Sequence, residues 1–109
     1  MPLGLPRLRI RNDSRMNYVG VRVKERRLHM SLTQDQLCGR IAEVTHGAWV
    51  PTWRDIYRVE AGTRIVSDLE AVALAVAINS SLAWLLDDNN PNQPPAHVAH
   101  RFFGPDEET

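Results

Sequence analysis

Cysteine is nearly absent from this chain: Cys38 stands alone in 109 residues. A lone thiol excludes an internal disulfide and any zinc cluster built on cysteines, and it fits a reducing compartment. Lysine is as scarce. Lys24 is the only one among thirteen basic residues, so the positive charge is almost entirely guanidinium. A guanidinium fork matches phosphates and guanine edges, whereas an ammonium acts as a point charge. Long hydrophobic runs are missing too. The opening MPLGLPRLRIRNDSR holds no apolar stretch of signal-peptide or membrane-span length, and the longest run, Ala71 to Ile78, has the length of a core helix. The expectation is a soluble, cytoplasmic protein without a membrane partner. His29, His46, His97 and His100 are too few and too scattered for a metal site. No Ser/His/Asp set or phosphate-binding glycine loop is visible, so neither an enzyme nor a bound cofactor is expected.

What is present is unevenly placed. The formal net charge is zero. Residues 1–64 nonetheless carry twelve of the basic residues against six acids, and residues 65–109 carry Arg101 against seven acids. Such a division points to a polyanionic partner more firmly than the average charge does. The length suits one domain with a compact core and leaves no room for a second, sensory one.

The reading divides the chain into a basic arm at 1–16, a helical domain at 17–88 and a Pro-rich, acidic tail at 89–109. The arm carries Arg7, Arg9, Arg11 and Arg15, with LRIR at 8–11 alternating like a short strand. In the tail, Pro91, Pro94 and Pro95 block helix, and the Phe102–Phe103 pair suggests docking onto something. Between the ends, start and stop signals define five helices and no convincing sheet. Asn17 opens the first, which runs to about Met30 with Val23, Arg27 and Met30 on one face. Thr33-Gln-Asp-Gln36 is a capping box that opens the second, with Leu37, Cys38 and Ile41 turned inward. Thr52 to Asp55 caps the third, which ends at Gly62. Ser67-Asp-Leu-Glu70 opens an apolar helix, and Ser81 caps a short last one carrying Leu82, Trp84, Leu85 and Leu86.

From Gly20 to Leu86 the chain resembles the Cro/repressor (XRE) family of helix-turn-helix regulators. The likeness rests on GVRVKERR at 20–27, LTQDQL at 32–37, I-Y-R-V-E-A-G at 56–62 and VSDLEAVALAVAINSSLAWLL at 66–86, in the family's order. It implies an all-α, five-helix lambda-repressor-like domain. The connection between the second and third helices is about eight residues longer than usual, the excess falling in 42–51. It also implies a bacterial or phage-encoded, nucleoid-associated repressor that binds double-stranded DNA as a homodimer on a palindromic operator.

By that resemblance the third helix enters the major groove, with Trp53, Arg54, Tyr57 and Arg58 facing bases. Arg54 is the first choice for a bidentate contact to guanine. Arg22, Gln34, Thr52, Thr63 and Arg64 match phosphate-contacting positions, Gln34 at a helix N-terminus, where anions are favoured. Glu60 would repel DNA if it faced it; the resemblance instead implies a buried ion pair with Arg27. Cys38 reads as a small buried thiol rather than a redox switch. Trp49 reads as a packing residue. The arginines of the arm suit either a solubilising tail or a minor-groove arm. Two rival functions remain open: an antitoxin that wraps a toxin or other regulator with the C-terminal tail, and a helix-turn-helix-fold adaptor that binds protein.

Overall fold

A computed structural model describes residues 14–87; the tail beyond, with Phe102 and Phe103, and the arm arginines Arg7, Arg9 and Arg11 lie outside the described residues. Those residues form five helices, α1 (Gly20–His29), α2 (Gln34–Val44), α3 (Trp53–Ala61), α4 (Asp68–Ala77) and α5 (Leu82–Leu86), with no strand among them. Three begin with a complete capping box. At Thr33, Thr52 and Ser67 the hydroxyl accepts the backbone N–H three residues on, and that residue's side chain reaches back to the cap N–H. Reciprocal caps of this kind satisfy two backbone donors that a helix leaves open. Ser81 caps α5 with its hydroxyl alone, accepting from the Trp84 N–H.

The first helix starts later than the sequence suggests. Asn17 does cover a helical amide, its Oδ1 accepting from the Gly20 N–H at 2.8 Å. Its own amide group, however, donates to the Val59 and Arg64 carbonyls at 3.0 and 2.9 Å. Asn17 is therefore fixed to the end of α3, and helix begins only at Gly20. Contact between the two helices is so close there that a Cβ at position 20 would overlap the Val59 carbonyl oxygen.

The core gathers one stripe from each helix. Val23 of α1, Leu37, Cys38 and Ile41 of α2, Ile56 and Val59 of α3, Leu74, Ala75 and Ala77 of α4, then Ile78, and Trp84 and Leu85 of α5 form one cluster. Every residue of α4 from Ala71 to Ala77 is buried, which marks it as the central helix. Fully burying a side chain such as Leu37, Ile41, Ile56, Leu74 or Ile78 contributes roughly 1.5–3 kcal/mol. The C-terminus of α4 receives two guanidinium groups: Arg26 donates to the Ile78 carbonyl (3.0 Å) and Arg40 to that of Ala77 (2.7 Å). Cations there satisfy open carbonyls and suit the helix dipole. No helix among the described residues is long and apolar enough to cross a membrane.

Candidate nucleic-acid interface

The third helix is divided sharply between two faces. Ile56, Val59 and Glu60 are buried, while Trp53, Arg54, Tyr57 and Arg58 are exposed. Period 3.6 explains the division: 56, 59 and 60 share one side, and 53, 54, 57 and 58 spread over the other. Trp53 and Tyr57 retain 48% and 57% of their accessible surface, a large aromatic area to leave in water. Arg54 lies over the Trp53 ring at 5.5 Å. Arg58 has no hydrogen bond or ion pair among the described residues.

From behind, the helix is held by a buried charge cluster. Arg27 of α1 meets Glu60 through Nε–Oε2 at 2.6 Å and Nη2–Oε1 at 3.0 Å, with side-chain exposures of 9% and 3%. Its Nη1 donates to the Leu32 carbonyl at 2.7 Å. Gln34 donates to Glu60 Oε1 at 3.1 Å. A buried ion pair holds only when its remaining donors and acceptors are met, and here three elements supply them. One acid thus joins α1, the start of α2 and α3.

The connection from α2 to α3 is built, not loose. The second helix extends to Val44, and the chain then turns through His46 and Gly47 in left-handed backbone (φ 53° and 81°). The buried Thr45 hydroxyl donates to the Ile41 carbonyl (2.8 Å) and accepts the Trp49 N–H (3.1 Å). Trp49 packs against the core, as a packing residue should, and Pro51 is buried before the cap at Thr52.

The residues expected at phosphates fare differently from one another. Thr52 and Thr63 are exposed at the two ends of α3. Thr52 is engaged as the cap: its N–H is bound by Asp55 Oδ2 at 2.9 Å, and that backbone hydrogen bond holds the Asp55 carboxyl below its usual range. Gln34, as described, is bonded to Glu60. Arg64 is bidentate to Glu70, at 2.9 and 3.0 Å, and lies 5.6 Å over Trp49. Arg22 donates to the Asp87 carbonyl at 2.6 Å and lies 4.5 Å over Trp84. Gln34, Arg64 and Arg22 thus each have an intramolecular partner that folding brings near. Cys38 is buried, and burial, reinforced by Asp35 and Asp55, pushes its thiol up to about 11, away from thiolate chemistry.

No family model, curated protein or solved structure matches this chain.

Two residues escaped the sequence reading. Arg15, counted there with the arm, donates to the Glu60 carbonyl at 2.9 Å, and the Met16 N–H binds the Gly62 carbonyl at 2.8 Å. Gly62 is left-handed (φ 80°) and covered by the Arg15 side chain; a Cβ there would lie 2.6 Å from its Cζ. The left-handed stop at Gly62 was visible as a signal, but nothing in residues 14–17 announced that they seal the end of α3. Among the described residues no group of three or more His, Cys, Asp or Glu comes together to hold a metal.

Proposed function

We propose that the chain is a sequence-specific regulator of transcription, a repressor of the lambda-repressor-like helix-turn-helix type, that reads double-stranded DNA with α3 in the major groove. The observation that carries this reading is the face of α3. Four long side chains, two arginines and two aromatics, stand exposed on a short helix whose other face is locked by Arg27–Glu60 and by Ile56 and Val59. Arg54 and Arg58 suit guanine O6 and N7, and Trp53 and Tyr57 suit thymine methyls and sugars. The cap at Thr52 presents the N-terminal end of α3, the end that meets base edges in such domains. The protein acts as a homodimer on a palindrome, since one short helix reads only a few base pairs.

The test is operator selection from random duplexes, followed by titration of Arg54→Ala on the selected site and on random duplex. Loss of Arg54 should remove about 1–3 kcal/mol of discrimination at one guanine and weaken random binding less. Equal weakening of both would move base reading to Arg58.

The adaptor reading draws on one observation: Val50, Trp53 and Tyr57 together expose much apolar surface beside α3. Folded protein that ignores heparin and random duplex at low salt would favour it.

A further inference from the structure

Each of the chain's three tryptophans lies beneath an arginine. Arg22 stands 4.5 Å over Trp84, Arg64 5.6 Å over Trp49 and Arg54 5.5 Å over Trp53. The first two pairs belong to the fold. Trp84 is buried and Trp49 is partly buried against the core. Their arginines are bound a second time, Arg22 to the Asp87 carbonyl and Arg64 to Glu70. The third pair stands apart. Trp53 and Arg54 are both exposed, and Arg54 has no hydrogen bond or ion pair among the described residues.

Adjacent residues on a helix diverge by about 100°, so their side chains do not ordinarily meet. In this pair they do. Trp53 opens α3, so its ring lies at the end of the helix that meets base edges in the proposed complex. A free arginine spreads over many rotamers, and ordering one against a base costs affinity. A ring that already holds the guanidinium removes part of that cost. The hold also leaves the side chain usable. A carboxylate takes two N–H donors of the fork, as Glu60 does from Arg27 and Glu70 from Arg64. A ring attracts the cation through its quadrupole and needs none of them.

We propose that Trp53 is a positioning residue for base reading: its ring holds the Arg54 guanidinium at the start of α3, with the N–H fork open to guanine O6 and N7. The inference rests on the DNA-binding reading above. It separates the two exposed arginines of α3. Arg54 is ordered before DNA arrives, whereas Arg58 has no ring over which to lie among the described residues. Arg54 therefore contributes the sharper preference. The role differs from apolar contact with thymine methyls, because it acts through Arg54 and is felt at a guanine.

The experiment titrates the full chain by fluorescence anisotropy on its selected operator, with a deazaguanine that lacks N7 placed in turn at each guanine. That base removes one acceptor and leaves every thymine methyl in place. The guanine read by Arg54 is the one whose deaza penalty Arg54→Ala abolishes. At that position Trp53→Leu should shrink the penalty about two- to fivefold, the size of an exposed cation–π contact. Trp53→Phe keeps a ring and should preserve most of the penalty. In the Arg54→Ala background, Trp53→Leu should change nothing further. Each penalty is a ratio of two affinities of one variant, so any loss of folded protein cancels. An unchanged penalty in Trp53→Leu, or an equal fall in Trp53→Phe, would overturn the positioning role and leave the DNA reading standing. So would an operator without a guanine whose penalty depends on Arg54. A folded full chain that binds no duplex at low salt would overturn both.

Discussion

Side chains from two other helices, Arg27 of α1 and Gln34 of α2, converge on Glu60. It accepts from Arg27 twice and from Gln34, at 3% side-chain exposure. Removing one member of a buried pair strands the other charge, typically at about 3–5 kcal/mol, a large fraction of a small domain's stability. Glu60→Ala should therefore lower the denaturation midpoint severely, and an unchanged melting temperature would refute the pair's structural role. The pair was legible through the resemblance, which implies it; both charges also occupy positions that helical periodicity turns inward, where an unpaired ion would be very costly. The engagement of Arg22, Gln34 and Arg64 was not legible. Their positions are surface-like by periodicity, and a polar side chain there reads the same whether it meets solvent, phosphate or another helix. Trp84 and Asp87 lie over sixty residues from Arg22, so only the tertiary fold brings them together.

Among elements, the helix starts were the most readable, because a capping box is a local signal whose partners sit three residues apart. Close approaches between helices leave no such mark, and two glycines separate the cases. Gly20 lies against the Val59 carbonyl oxygen, whereas Gly39, exposed in the middle of α2, has nothing within 4 Å of where a Cβ would stand. Gly20→Ala should push α1 from α3 and cost about 1–3 kcal/mol. Gly39→Ala should stabilise by about 0.5–1 kcal/mol, since only the conformational freedom of the unfolded chain is lost. Paired denaturant melts decide, and equal effects of the same sign would contradict the packing of α1 on α3.

The start of α4 adds a pH dependence. The Arg64 guanidinium, with help from the Ser67 N–H, holds the Glu70 carboxyl below its usual 4.5. With its folded value depressed, the unfolded chain takes up the proton first as pH falls. The stabilisation is complete above the usual value and disappears as acid carries the pair down through the depressed one. Melts from neutral pH to about pH 3 should show the wild type losing more stability than Glu70→Gln. Parallel losses would count against the pair.

At the scale of the whole molecule, the described residues leave apolar surface open beside α5. An apolar groove of about 280 Å³ runs between Tyr18, Val66, Ala71, Leu82 and Leu86, with Leu82 and Leu86 exposed. The groove makes α5 the natural seam of the proposed homodimer, whose half-sites should lie about one helical turn apart, roughly 34–36 Å. Leu82→Glu/Leu86→Glu should leave the fold intact by circular dichroism while halving the mass seen by light scattering. A wild type that is monomeric both free and on a non-palindromic footprint would end the dimer reading. The charge imbalance between halves was plain from composition. What composition hides is how many arginines of the basic half close helix ends or pair with acids.

The two-faced build of α3 has a consequence for how such a protein can change over generations. Trp53, Arg54, Tyr57 and Arg58 are exposed on one face, while Ile56, Val59 and Glu60 hold the helix in place. Substitutions on the outer face meet solvent and leave the core undisturbed, so they stay within the small range usual for surface changes. Under the proposed function, target preference would drift while the scaffold stays under constraint. A library randomised at those four positions should yield mostly folded proteins; if α3 reads DNA as proposed, their preferences should differ, and a lineage would acquire a new target without passing through an unstable ancestor.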